Sequence, residues 1–153
     1  MKKIFYWLLF LWIFVLLAFI YFLSGIEQGG KEEERIITKI IDGDTIIVEG
    51  GETIRLLGID CDEKGKKCYT PAKNYIENNF LGKTAVLKSG KDDKDIYGRS
   101  LRYIFVNGKS VNVEMISGGF CVARIQDEDK YSNEIRAAES DAIVGKIGCK
   151  WKI

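Results

Sequence analysis

The chain has 153 residues, 46% of them hydrophobic, enough for one domain of ordinary size with its own core. It carries 23 basic and 22 acidic residues, and without Lys2 and Lys3 the remainder from residue 24 onward carries 21 and 22, a net charge of −1. That balance excludes polyanion binding by bulk positive charge, and the absence of histidine argues against a zinc site.

Ile4 to Leu23 form an uncharged, largely apolar run of twenty residues, the length that spans the hydrocarbon of a bilayer. Lys2 and Lys3 precede it, which favours a cytoplasmic N-terminus with the rest of the chain outside. Residues 1–23 are therefore read as a transmembrane anchor, touching the membrane through residues 4–23. The alternative is a signal peptide cut near Ser24-Gly25, which would leave a secreted protein. Residues 24–34 read as a charged, glycine-containing tether, and residues 35–153 as the folded domain.

From Arg35 the texture is β-like. Ile36, Ile37, Ile40 and Ile41 form a first strand that ends at Asp42-Gly43, a turn pair. Thr45 to Glu49 is a second strand, Gly50-Gly51 a hairpin loop, and Thr53 to Ile59 a third strand. Thr70-Pro71 starts a helix, with Thr as cap and Pro at the first helical position, and Gly82 ends it. Within it Ala72, Tyr75, Ile76 and Phe80 recur at helical spacing. Thr84 to Lys88 and Ser100 to Val106 are further strands. Val111 to Ser117 is a short helix, Phe120 to Ile125 is extended, and Tyr131 to Val144 is the last helix. The predicted fold is β-rich α+β: a five-stranded OB-type barrel with three helices, preceded by a single transmembrane helix.

Three short patches carry the chemistry. Asp42-Gly43-Asp44-Thr45 alone would be a turn. Neighbouring strands in a meander, however, bring Asp44 at the start of the second close to Asp60 at the end of the third. Two carboxylates with a nearby carbonyl suit a hard, oxygen-preferring cation such as Ca²⁺. Arg55 alternates with Leu57 and Ile59. If that face is the barrel interior, Arg55 must reach an anionic partner or ligand at the rim. Arg99 follows Tyr97-Gly98, and both arginines offer planar donor forks that fit phosphate. Glu63, alone a solvated loop acid, is the best candidate base in a chain without histidine. Asp92-Asp93-Lys94-Asp95 lacks the spacing of a calcium-binding loop and reads as a solvated turn.

Four cysteines, Cys61, Cys68, Cys121 and Cys149, suit two disulfides in an exported domain. Of the three pairings, Cys61–Cys68 and Cys121–Cys149 are favoured, the first pair being close in sequence. Four reduced thiols are the alternative.

With Ile41-Asp42-Gly43-Asp44-Thr45, Arg55 to Asp60, Glu63, Tyr97-Gly98-Arg99 and Val111-Asn112 in order, the chain resembles the thermonuclease (staphylococcal-nuclease-like) family from about Arg35 to its end. The resemblance implies a Ca²⁺-dependent phosphodiesterase that cuts DNA and/or RNA by in-line attack of water and leaves 3′-phosphate ends. It implies Asp44, Asp60 and the Cys61 carbonyl as metal ligands, Glu63 as base, Arg55 and Arg99 on the phosphate, and Tyr97 beside the nucleotide. No protein partner is implied, and a monomer is expected. Two departures from the family pattern stand out. Cys61-Asp62 replaces a Thr or Ala followed by Pro, which is expected to loosen the loop and to add charge near the metal, unless a Cys61–Cys68 bond stiffens it. A base-stacking position is occupied by the non-aromatic Ile125. The alternative reading is a non-catalytic, membrane-tethered OB-type module that binds nucleic acid.

Overall fold

A computed structural model of the chain describes residues 6–7, 11–18 and 32–152. Residues 6–7 and 11–18 are helical and exposed. The rest of the expected 4–23 span, and residues 24–31 of the expected tether, lie outside the described residues. Among the described residues, no helix is long and apolar enough to cross a membrane.

Strands β1 (Glu32–Ile40), β2 (Thr45–Val48), β3 (Thr53–Leu56) and β4 (Ile59–Cys61) come first. Helix α1 (Tyr69–Phe80) leads to β5 (Thr84–Lys94), β6 (Ser100–Val106) and the two-residue β7 (Lys109–Ser110). Helix α2 (Val111–Ser117), strand β8 (Cys121–Ala123), and helices α3 (Ser132–Val144) and α4 (Gly148–Trp151) follow. Strands pair in the order β3-β2-β1-β5-β6-β7, and a parallel pairing of β3 with β6 closes the ring. The result is a closed five-stranded barrel of β1, β2, β3, β6 and β5, the expected OB-type architecture. Closure removes the free edges that would otherwise pair with other chains.

The barrel closes because β-branched and aliphatic residues alternate inward. Ile46, Val48, Ile54, Leu56 and Ile104 are completely buried. Each such side chain contributes about 1.5–3 kcal/mol of transfer free energy. Helix α1 lays Ala72, Ile76 and Phe80 on the core along one face. Helix α2 buries Val111, Met115 and Ile116, and is capped by the Ser110 hydroxyl, which accepts from Val113 N–H at 3.3 Å. The buried Asn112 ties α2 to the barrel. Its Oδ1 accepts from Ile104 N–H at 2.9 Å, and its Nδ2 donates to the Leu57 carbonyl at 2.8 Å.

Several elements differ from expectation. Strand β1 begins at Glu32, so part of the expected tether is strand. Its first residues pair with β5, and Lys88 reaches Glu32 at 2.6 Å. The expected third strand is two. After Leu56 the chain turns through Leu57-Gly58, and β4 leaves the barrel to pair with β8. Gly58 has φ +74°, and a Cβ there would lie 2.6 Å from Ile135 Cδ1. Only glycine fits this turn. Helix α1 starts at Tyr69 without a side-chain cap, so Thr70 does not cap it. Its start is pinned instead by Asp62, which accepts from Cys68 N–H at 2.8 Å.

The favoured disulfide pairing is wrong. Cys61 is bonded to Cys121 and Cys68 to Cys149, with no free cysteine among the described residues. Cys61 and Cys121 stand opposite each other in the β4–β8 register, with Cα atoms 4.3 Å apart. That is the close spacing of a non-hydrogen-bonded antiparallel pair. Cys68 at the head of α1 meets Cys149 in α4, with Cα atoms 5.5 Å apart. Proximity in sequence was the wrong guide, because strand register and helix docking set which sulfurs meet.

Candidate active site

The site is built where β2, β3 and β4 meet at one rim. Asp42 Oδ1 accepts from Asp44 N–H at 3.0 Å, a local turn that starts β2. Gly43 lies against α1 and β4, where a Cβ would come within 2.8 Å of Ala72 Cβ and 3.0 Å of Cys61. This close fit brings Asp44 under β4. The residue is 7% exposed, and both of its carboxylate oxygens are engaged. Oδ2 accepts from Cys61 N–H at 2.7 Å and lies 3.3 Å from Arg55 Nη2, while Oδ1 accepts from Thr45 Oγ1 at 3.1 Å. Burial pushes the Asp44 carboxyl up to about 6, against the opposing pull of Arg55 and Cys61 N–H.

Arg55 does not face the barrel interior. Ile54 and Leu56 do, and Arg55 points to the opposite side of β3, beneath β4. The period that put Arg55 with Ile59 breaks at Gly58. The guanidinium fills the turn that follows: Nη1 donates to the Leu56 and Ile59 carbonyls at 2.7 and 2.9 Å. Nη2 donates to Asp60 Oδ1 at 3.0 Å. Asp44 and Asp60 thus converge on a single nitrogen of Arg55.

Arg99 is held from the β5–β6 turn. Asp95 Oδ2 accepts from Arg99 Nε at 2.7 Å, and Asp95 Oδ1 accepts from the N–H groups of Tyr97 and Arg99. Burial alone would raise the Asp95 carboxyl, but these donors hold it below the ordinary carboxylate range. Arg99 Nη1 also reaches Thr45 Oγ1 at 3.4 Å. Thr45 therefore links the Arg99 side of the site to Asp44. Tyr97 is 78% exposed, and its ring lies 5.5 Å from the Arg99 guanidinium carbon. Arg55, Arg99 and Tyr97 line one cleft of about 470 Å³, together with Arg124.

The remaining expected residues are placed less directly. Glu63 is exposed in the loop after β4, with its carbonyl accepting from Lys66 N–H at 3.0 Å. Its side chain is not brought onto Asp44, Asp60 or the arginines. Cys61 lies in β4, and ladder alternation turns its backbone groups away from β8, toward the Asp44 side. Ile125 packs on the core and offers no stacking face. Asp62 adds no free charge: Lys150 donates to it at 2.6 Å and Cys68 N–H at 2.8 Å. Burial would raise this carboxyl too, but those donors lower it. The loop that lacks proline is thus closed by an ion pair and by Cys68–Cys149. Sequence reasoning gave no role to Asp95, Thr45 or Arg124. The Asp-x-x-x-Arg spacing around Gly98 was a signal for Asp95; Arg124 left none.

The donor set suits a hard cation. All candidate donors are oxygens: the Asp44 and Asp60 carboxylates and the Cys61 carbonyl. Two carboxylates share one guanidinium, with Asp42 close enough to raise Asp44 further, so the focus carries excess negative charge. Among the described residues no group of three or more acidic or cysteine side chains assembles around one point, so water would have to complete such a shell.

The fold and the site define a class of protein: a closed OB-type barrel whose rim cleft is lined by arginines, with Asp44 and Asp60 paired on one of them. Residues 53–152 match the sequence model of the family described as Staphylococcal nuclease homologue. The chain belongs to the staphylococcal nuclease family. It is 30% identical over 123 residues to the thermonuclease of Staphylococcus intermedius, covering 73% of each chain. It is 32% identical over 136 residues to endonuclease YncB of Bacillus subtilis, covering 76% of this chain and 63% of that one. It is also 27% identical over 130 residues to the thermonuclease of Staphylococcus hyicus.

Proposed function

We propose that this protein is a Ca²⁺-dependent nuclease that hydrolyses DNA and/or RNA by in-line attack of water and leaves 3′-phosphate ends. The observation that carries the reading is the convergence of Asp44 and Asp60 on Arg55, joined through Thr45 to Arg99 in one cleft. The named relatives, thermonucleases and endonucleases, support the same reaction class. Asp44, Asp60 and the Cys61 carbonyl would hold Ca²⁺, which when bound supplies positive charge beside the phosphate. Arg55 and Arg99 orient the scissile phosphate through their donor forks and stabilise the charge that grows on its oxygens. Glu63 takes the proton from the attacking water, and Tyr97 lies beside the nucleotide.

Residues 4–23 anchor the protein in a membrane, with the nuclease domain outside and acting as a monomer. The two disulfides support an oxidising compartment. A reporter fused after Ile153 and active only in the cytoplasm would overturn that topology. The function itself is tested with the full chain in detergent, single-stranded DNA, and Ca²⁺ or a chelator, beside Glu63→Gln. Cutting that needs Ca²⁺ and collapses in Glu63→Gln is expected. DNA bound but never cut would move the assignment to a non-catalytic binding barrel.

A further inference from the structure

The chain has six arginines. Arg35, Arg55, Arg99, Arg102 and Arg136 are each paired with a carboxylate. Among the described residues Arg124 is the one arginine without an ion pair, and no carboxylate lies within pairing distance of it. It is exposed, yet its backbone is held: Arg124 N–H donates to the Gly58 carbonyl at 2.8 Å, extending the β4–β8 ladder. Val122 pairs with Asp60 in that ladder. Arg124, two residues on, therefore falls on the same face of the ribbon as Asp60. It lines the cleft with Arg55 and Arg99.

The charge accounting of the cleft gives Arg124 its meaning. Arg55 is neutralised by Asp44 and Asp60, and Arg99 by Asp95. The unpaired cations on the rim are Arg124 and Lys94, exposed at the end of β5, against one unpaired carboxylate, the exposed Asp92. A guanidinium fork on an ordered strand end, free of any internal acid, is preorganised for a phosphate. It enters the cleft from the end of β8, whereas Arg55 comes from β3 and Arg99 from the β5–β6 turn, which suits it to a phosphate other than the one held between those two.

We propose that Arg124 forms a second phosphate subsite, which holds the phosphate flanking the scissile one and makes the protein select polynucleotides over isolated phosphodiesters. The inference rests on the nuclease reading above. Arg124 binds and positions; it moves no proton and contacts no breaking bond.

The test uses the full chain in detergent with Ca²⁺, comparing Arg124→Ala, Arg124→Lys and the distant control Arg136→Ala. Two substrates are used: a single-stranded DNA oligonucleotide and bis(4-nitrophenyl) phosphate, which has one phosphate. In Arg124→Ala, the KM for the oligonucleotide is expected to rise about tenfold, and the preference for oligonucleotide over the single-phosphate diester to fall by a similar factor. Arg124→Lys recovers part of the binding without the fork. A second readout is independent of turnover: fluorescence anisotropy of the oligonucleotide on Glu63→Gln, titrated with salt. Adding Arg124→Ala to Glu63→Gln is expected to lower the log–log salt slope by about one. An unchanged KM and slope would overturn the proposal, and so would an equal loss on both substrates, which would place Arg124 at the scissile phosphate. If the wild type cut neither substrate, the nuclease reading would fail, while the anisotropy slope would still decide whether Arg124 holds a phosphate.

Discussion

Asp44 is a buried carboxylate whose single cationic partner is shared with Asp60. Its ionised form is therefore costly, and its folded-state pKa rises from 3.8 to about 6. Below about pH 4 the carboxyl is protonated in both folded and unfolded chains. As pH rises through about 6 the unfolded chain has already ionised, and the stability held by the protonated folded form is lost. In chelator, the unfolding free energy of Asp44→Asn relative to wild type should therefore climb by about 2–3 kcal/mol between pH 4 and 6 and then level off. Urea titrations at several pH values measure it, and a flat difference would refute the assignment. Asp95 acts differently, since it orients Arg99 rather than sitting in the core. Asp95→Asn should lower kcat/KM by about 10–100-fold, because a misdirected guanidinium loses its alignment with the phosphate. Stability should change by less than about 1 kcal/mol, as for other partly exposed pairs. Steady-state kinetics and thermal melts separate the two effects.

At the level of elements, the turn between β3 and β4 makes the site possible. A continuous third strand would have kept Asp60 in the barrel wall, away from the β8 ribbon. Gly58 allows the break, at φ +74° and against Ile135 Cδ1. Arg55 then fills the turn through the Leu56 and Ile59 carbonyls. Gly58→Ala combines an unfavourable backbone conformation with a clash, and should cost about 2 kcal/mol or more. Because β4 carries Asp60 and Cys61, activity should fall further than stability alone accounts for. Denaturant midpoints beside kcat measured well below the transition test this. The helices serve the same turn from the other side, since Asn112 of α2 holds the Leu57 carbonyl and Ile135 of α3 packs on Gly58.

Across the whole molecule, two disulfides tie the C-terminal third to the site. They close loops of 60 and 81 residues, and by chain entropy each contributes about 4 kcal/mol. They differ in what they hold. Cys61–Cys121 joins β4 to β8 where Cys61 N–H meets Asp44, whereas Cys68–Cys149 fastens the head of α1 to α4 beside the Asp62–Lys150 pair. Replacing Cys61 and Cys121 by serine should cost both stability and turnover. Replacing Cys68 and Cys149 should lower the melting temperature by a comparable amount, with a smaller loss of kcat. The paired melting and kinetic data decide, and equal kinetic losses would show that the two bridges are not distinguished in this way.

The barrel strands, the three helices between Tyr69 and Val144 and the residues of the rim were legible in the sequence, because alternation, helical spacing and glycine turns are local properties. Asp44, Asp60, Arg55 and Arg99 stand out by charge and spacing, whereas alternation in the third strand left its inward face unassigned, and Ile54 and Leu56 fill it. The disulfide pairing, the outward side of Arg55, the neutralised Asp62 and the unpaired Arg124 were decided only by tertiary structure. Each depends on contacts between segments far apart in the chain: Cys61 with Cys121, Asp62 with Lys150, Arg124 with the Gly58 turn. Those contacts are set by strand register and helix docking, which no local pattern of residues encodes.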